Sequence, residues 1–264
     1  MATQQSSLTS WSWRPLVVPL ALVAVWGAYS LVRGAGDTGT FTSPEAFASA
    51  VVKDTASGFL PAAIAATLAR AITGFLVGAG AGLAVGLAIG LWRPVDRLLS
   101  PTIDSVRQVA LFAWIPLLSA WLGNGEAMKV TLISLGAFFP VVLATAVACA
   151  NVSRHYLEVG QVLELSRRQE VRKIILPAAA PAIITGLELG LNIAWLGTIG
   201  AEYLIGTGYI NGMGDGLGAY LAQAREYARM DRILIGVISL ALVGLALDRL
   251  VSWSSRKVFP WHRQ

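Results

Sequence analysis

The chain has 264 residues, 55% of them hydrophobic and only 13% charged, with a mean hydropathy of +0.64. That is more apolar surface than a soluble core of this length can bury, so composition excludes an ordinary soluble domain and indicates an all-α polytopic membrane protein. The net charge of +5 gathers in a few loops, which argues against a nucleic-acid face; the single Cys149 excludes an internal disulfide, and His155 and His262 stand without a cluster that could bind metal.

Residues 1–14 are polar, with Trp11 and Trp13 suited to a membrane interface, and residues 15–32 form a first apolar span, too long for the apolar region of a cleaved signal. Residues 34–58 read as an external connection carrying a short helix from Pro44. Residues 61–92 predict one helix of about 31 residues, about 46 Å long against a hydrocarbon core of about 30 Å, so its first turns lie at the interface or against protein. Gly74, Gly78, Gly82, Gly86 and Gly90 recur at every fourth position and predict a flat ridge for another helix.

Residues 93–107 carry three arginines and read as an inside loop. The third apolar segment, 109–122, contains Pro116, which predicts a helix kinked or broken at mid-membrane and makes Trp114 a candidate pathway residue. A fourth span follows over 127–150, a fifth from Pro177 to Ile205 and a sixth over 233–253, before a basic tail. With the amino terminus inside, thirteen of the twenty basic residues fall on the inner side, which also places the carboxyl terminus there. The chain thus divides into a first span and external loop (1–60), a core (61–253) and a tail (254–264).

Residues 154–177, RHYLEVGQVLELSRRQEVRKIILP, are the longest polar interval. Ser166 and Gln169 form a capping box, so the grammar is helix, turn, helix, with Pro177 closing the unit. Val171, Ile174 and Ile175 share one side of the second helix, rimmed by Arg168, Arg172 and Lys173, and predict an apolar knob for a groove on a partner protein.

No enzyme constellation is present: the chain has no G-x-S-x-G, H-E-x-x-H or phosphate-binding loop. Glu188, Asn192 and Glu202 are the polar groups of the fifth span. Glu188 reads either as a pathway group or as the partner of a buried cation such as Arg70; Glu202, near the outer end, reads as a contact to a helix end or loop. A self-contained ion-coupled carrier would draw on these two carboxylates.

Glu158, Gly160, Ile174, Leu176 and Pro177 match the spacing of the "EAA" loop, and ATLAR at 66–70, AWIPLLSAW at 113–121, GAFFP at 136–140, LPAAAP at 176–181 and NIAW at 192–195 extend the match. On these motifs the chain resembles the permeases of binding-protein-dependent ABC importers, in particular the aliphatic sulfonate, taurine and nitrate group. The resemblance implies a type I importer bundle of about six spans in a bacterial inner membrane. It implies a second copy of the chain, two ATPase subunits that bind the ATP and magnesium, and a periplasmic solute-binding protein, with no cofactor and no catalysis on this chain. It makes the short helix after Ser166 the coupling helix, with Glu158, Gly160, Ser166, Arg168, Val171, Arg172, Ile174, Leu176 and Pro177 facing the ATPase. Trp114, Glu188, Asn192, Trp195 and Glu202 are then the pathway candidates for a small organic anion. Glu164 stands where the pattern has glycine, so the corner is expected at Leu165 and Ser166 without a positive φ. The glycine-rich stretch 203–218 is expected at the outer mouth.

Overall fold

A computed structural model of the chain describes residues 42–205 and 216–258, with side chains as far as Val251, together with Val17, Ala21, Ala24, Val25 and Ala28, which are helical. Most of the expected first span, most of the glycine-rich stretch and the end of the tail lie outside these residues, so the count of six spans rests partly on segments not described. Among the described residues there is no strand. Among those residues four helices are long and apolar enough to cross a membrane, Phe59–Leu91, Glu126–Ala150, Arg167–Ile205 and Met230–Val251, and the number is five when the bent pair Arg93–Val106 and Leu111–Leu122 is counted as one span.

The first helix, α1 (Pro44–Ala56), starts at Ser43, whose hydroxyl accepts from the Ala46 N–H, with proline in the first turn where no N–H is needed. Gly58, at φ 77°, turns the chain into α2 (Phe59–Leu91). At 33 residues α2 measures about 50 Å, roughly 20 Å more than a hydrocarbon core. The excess is used at its start: Leu60 and Ala63 are buried with Ala50 of α1 and with Leu217, Tyr220 and Ile235 from the end of the chain, forming a small helical cap.

Along the rest of α2 the glycine ridge meets α5 (Glu126–Ala150). A Cβ on Gly82 would stand 2.9 Å from the Phe138 carbonyl, one on Gly86 2.7 Å from that of Val142, and one on Gly78 would fall on the Ser134 carbonyl itself. Partners advance from Ile133 at Gly74 to Cys149 at Gly90, so the two helices run parallel in one register. In lipid, where apolar side chains gain little by leaving the solvent, such backbone approach supplies the van der Waals contact that holds helices together. On the other side of α5 lies α8 (Leu176–Ile205), antiparallel, with Gly186 against Ala144 and Gly190 against Val141 and the Ala137 carbonyl. Small residues on both sides make α5 the centre of the bundle.

Two sequence expectations fail between α2 and α5. Residues 93–107 are not a loop but a helix, α3 (Arg93–Val106), and none of its residues is buried. Its polar side, Arg93, Asp96, Ser100 and Asp104, borders a cavity of about 620 Å³ against the end of α5. Pro116 does not kink a span. It sits in the first turn of α4 (Ile115–Leu122), after a 3-10 turn at Leu111–Trp114, where its missing N–H leaves no bond unmade. Eight residues reach only about 12 Å, so the chain returns from the end of α2 to the start of the parallel α5 through α3 and this segment together, the two bent by 93°.

After α5 come α6 (Arg154–Val162) and α7 (Arg167–Glu170), then a π-turn at Val171–Ile175 that leads into α8 without a break. Pro177 therefore does not close the unit. The Leu176 N–H bonds to the Val171 carbonyl, a wider turn that makes room for the proline ring, which would otherwise press on the carbonyl four residues back. The described residues finish with α9 (Leu217–Glu226), in the cap, and α10 (Met230–Val258).

Candidate functional site

The bundle has two polar ends. At the cap end, three helices contribute one charged cluster. Arg70 of α2 donates through Nε and Nη2 to both oxygens of Glu126 on α5, at 2.6 and 2.7 Å, and through Nη1 to Glu202 of α8 at 2.8 Å. Lys129 stands 3.6 Å from Glu126, one turn along α5. Arg70 is 3% exposed and Glu202 not at all, while Glu126 is partly open to solvent, so two cations and two carboxylates neutralise one another with the Arg70–Glu202 pair away from water. The Thr67 hydroxyl donates to Glu202 at 2.8 Å and accepts the Leu217 N–H at 2.7 Å, while the Gly218 N–H donates to Glu202 at 3.0 Å. The first N–H groups of α9 are thus capped by side chains of α2 and α8. Beside this cluster, buried Asp54 of α1 accepts from Tyr220 of α9 and from Arg232 of α10, each at 2.8 Å. Burial, then the bond to Asp54, pushes the Tyr220 phenol well above its ordinary range, so it remains a donor at any physiological pH.

The sequence makes Glu202 a contact to a helix end or loop, and in the structure it caps α9. The pairing suggested for Glu188 goes elsewhere. Glu188 is half-buried fourteen residues before Glu202, about 21 Å down the same helix, beyond the reach of an Arg70 already bonded to Glu126 and Glu202. Trp114 packs with Leu118 and Met128, and Trp195 with the cap cluster and against Gly244 of α10. Asn192 is exposed. The five pathway candidates do not converge within this chain.

At the opposite end, where α3 and residues 151–175 gather the arginines, α6 and α7 meet at a sharp corner. Gln169 reaches back to accept the Ser166 N–H at 3.0 Å, the expected half of a capping box. The corner itself lies at Glu164, which adopts φ 49° despite its side chain. The Leu165 N–H bonds to the Gly160 carbonyl and that of Glu164 to Gln161, both at 3.0 Å, closing α6 in the manner that places a left-handed residue between them. Glu164→Gly is expected to stabilise the solubilised protein by about 0.5–1 kcal/mol, since a left-handed side chain costs about 1–2 kcal/mol and glycine's extra freedom returns part of it. A higher apparent melting temperature checks this; a lower one contradicts it.

The knob does not face outward. Ile175 is 4% exposed, in a cluster with Cys149 and Ala179; Val171 packs on that cluster; and Ile174 lies under Gly160, where a Cβ would stand 2.8 Å from its Cδ1. What is exposed is the α6 side of the corner, with Tyr156, Val159, Val162 and Leu163 uncovered, Val162 at 83%, amid exposed Glu158, Arg168 and Arg172. An amphipathic pattern identifies an apolar side but not whether the chain's own core or another protein covers it. Arg167 ties the corner back to the bundle, bonding Glu170 at 2.8 Å and the Leu91 carbonyl at the end of α2 at 3.3 Å.

Residues 74–260 match the family described as the inner membrane component of binding-protein-dependent transport systems. A protein of Escherichia coli named for aliphatic sulfonates transport, the permease SsuC, is 35% identical over 248 residues, 94% of this chain and 91% of that protein. The Bacillus subtilis protein of the same name is 33% identical over 248 residues, covering 93% and 86%. Among solved structures, an amino acid ABC transporter aligns with a TM-score of 0.62 at 14% identity, over 78% of this chain and 97% of that one, a likeness of fold.

Proposed function

The chain belongs to the inner membrane components of binding-protein-dependent transport systems, and from that premise we propose that it is one of two identical permease subunits that admit a small organic anion, an alkanesulfonate, when ATP is hydrolysed by a separate pair of ATPase subunits. In this reading ATP and magnesium stay on the ATPase. The basic end of the bundle faces the cytoplasm, as an excess of arginine in short loops favours, both termini lie there, and the cap faces a solute-binding protein outside.

The observation that carries the reading is the exposed corner joined to a continuous helix. Tyr156, Val159, Val162 and Leu163 stand out of a charged rim with nothing of the described chain upon them. The element just past them runs unbroken from Arg167 to Ile205. A partner gripping the corner would hold one end of a rod about 58 Å long, 39 residues at 1.5 Å each. ATPase closure would then move α8 against α5 and open the pathway between the two subunits alternately to either side.

Glu158→Ala and Arg172→Ala are each expected to abolish co-purification of the ATPase while leaving the solubilised permease intact, because both side chains are exposed at the corner and neither supports the fold. Undiminished complex formation by both variants contradicts the assigned surface. A self-contained ion-coupled carrier would need a carboxylate free to exchange protons with a pathway. Glu202 is fully buried under Arg70, Thr67 and Gly218, which favours the importer reading, as do the relatives.

A further inference from the structure

We infer that Glu202 is a positioning residue that fastens α9 to the cap end of the rod Arg167–Ile205, so that engagement of a partner at α9 and movement at the ATPase corner act on two ends of one element. This rests on the importer reading above and adds to it a route for the signal between binding protein and ATPase.

Glu202 cannot meet a solute. Its exposure is nil, and its oxygens accept from the Arg70 guanidinium, the Thr67 hydroxyl and the Gly218 N–H. Its bonds lead instead to α9. The Gly218 N–H goes to Glu202 directly and the Leu217 N–H goes through Thr67, so lifting α9 would strand two helix-terminal donors and take one of its three donors from a buried carboxylate. The glycines at this point are part of the joint. A Cβ on Gly218 would stand 2.6 Å from that of Glu202, and one on Gly216 would collide with the carboxylate. The end of the glycine-rich stretch is therefore small so that α9 can descend onto Glu202. A second tie from the same helix, Arg225 Nη1 to the Tyr203 hydroxyl at 2.9 Å, holds the far end of α9.

Past that tie, residues 225–230 are all exposed, and Tyr227 is 73% exposed, beside Glu226 and Arg229. One exposed part of the cap, residues 225–230, thus follows a helix bonded to α8 at both ends, and α8 is continuous with the cytoplasmic corner. A ligand shifts a conformational equilibrium only through contacts that differ between states, and α9 supplies a surface hydrogen-bonded to α8.

The test uses the whole complex in lipid nanodiscs, with ATPase and with the cognate binding protein loaded with ethanesulfonate. Thr67→Val removes the bridging hydroxyl but leaves every charge in place, Thr67→Ser restores it, and Gly216→Ala inserts a methyl group at the carboxylate. Expected for Thr67→Val and Gly216→Ala are unchanged assembly and basal ATP hydrolysis, with binding-protein stimulation reduced about tenfold, within the usual range of coupling between sites. Stimulation returns in Thr67→Ser, and amide exchange at the start of α9 rises in the two defective variants. Stimulation within about twofold of wild type in both overturns the inference, as does a parallel fall of basal and stimulated rates, the signature of a merely destabilised subunit. A wild-type complex that does not respond to the loaded binding protein overturns the importer reading itself, and this inference with it.

Discussion

Gly78→Leu is expected to abolish the folded permease, while Gly80→Leu, two residues along the same helix, leaves it unaltered. The contrast follows from what each position faces. A Cβ at Gly78 falls on the backbone carbonyl of Ser134, and backbone cannot turn aside as the tip of a side chain can, whereas nothing lies within 4 Å of one at Gly80. A leucine at Gly78 can be accommodated only by separating α2 from α5. That opens the whole ridge from Gly74 to Gly90, about 24 Å of close contact at 1.5 Å per residue. Dispersion falls so steeply with distance that a gap of even 0.5–1 Å forfeits about a quarter to a half of each contact. Overpacking alone costs roughly 1–3 kcal/mol, and the opened ridge adds to it, a large part of a total stability of about 5–15 kcal/mol. The measurement is the monodisperse fraction and thermal midpoint of each variant in detergent. A Gly78→Leu protein that melts with wild type contradicts the packing described.

The glycine ridge was legible because a residue with one physical meaning repeats at one interval. The second small-residue contact, of Gly186 and Gly190 of α8 against α5, was missed since it shares its helix with larger residues and keeps no long even spacing. Prolines were legible as events but not as kinds of event. Pro116 opens a helix, and Pro177 rides inside a continuous one because the π-turn before it admits the ring. Neither outcome is local information. The charged cluster was the least legible, because Arg70 meets partners 56 and 132 residues away on two other helices. What sequence offered was weaker: Arg70, Glu126, Lys129 and Glu202 are ionisable groups at the edges of apolar spans, and such groups seek one another. At the corner, Glu164 took the conformation that glycine takes in the pattern. The fold of the loop is set by the bonds from Leu165 to Gly160 and from Glu164 to Gln161, and the side chain yields to them.

Arg70→Met is expected to destabilise the subunit by about 3–5 kcal/mol, the usual cost of removing one partner from a buried ionic cluster. Three favourable bonds vanish, but the larger effect is what stays behind. Glu202 remains wholly buried with only a hydroxyl and one N–H to offset its charge, and Glu126 is left to Lys129 at 3.6 Å. Because the stranded charge dominates the cost, a second substitution is expected to help. Adding Glu202→Gln to Arg70→Met removes the stranded charge while keeping an oxygen that can accept from Thr67 and Gly218, so the double variant should be more stable than Arg70→Met alone. Glu202→Gln in the presence of Arg70 should instead be destabilising, because it strands a guanidinium donor. Thermal midpoints of the four proteins make a double-mutant cycle, and a coupling beyond about 1 kcal/mol between the two sites is expected for residues in direct contact. Costs that simply add would mean that Arg70 and Glu202 do not act on each other, and the cap would have to be held by the Asp54, Tyr220 and Arg232 bonds and by its apolar contacts.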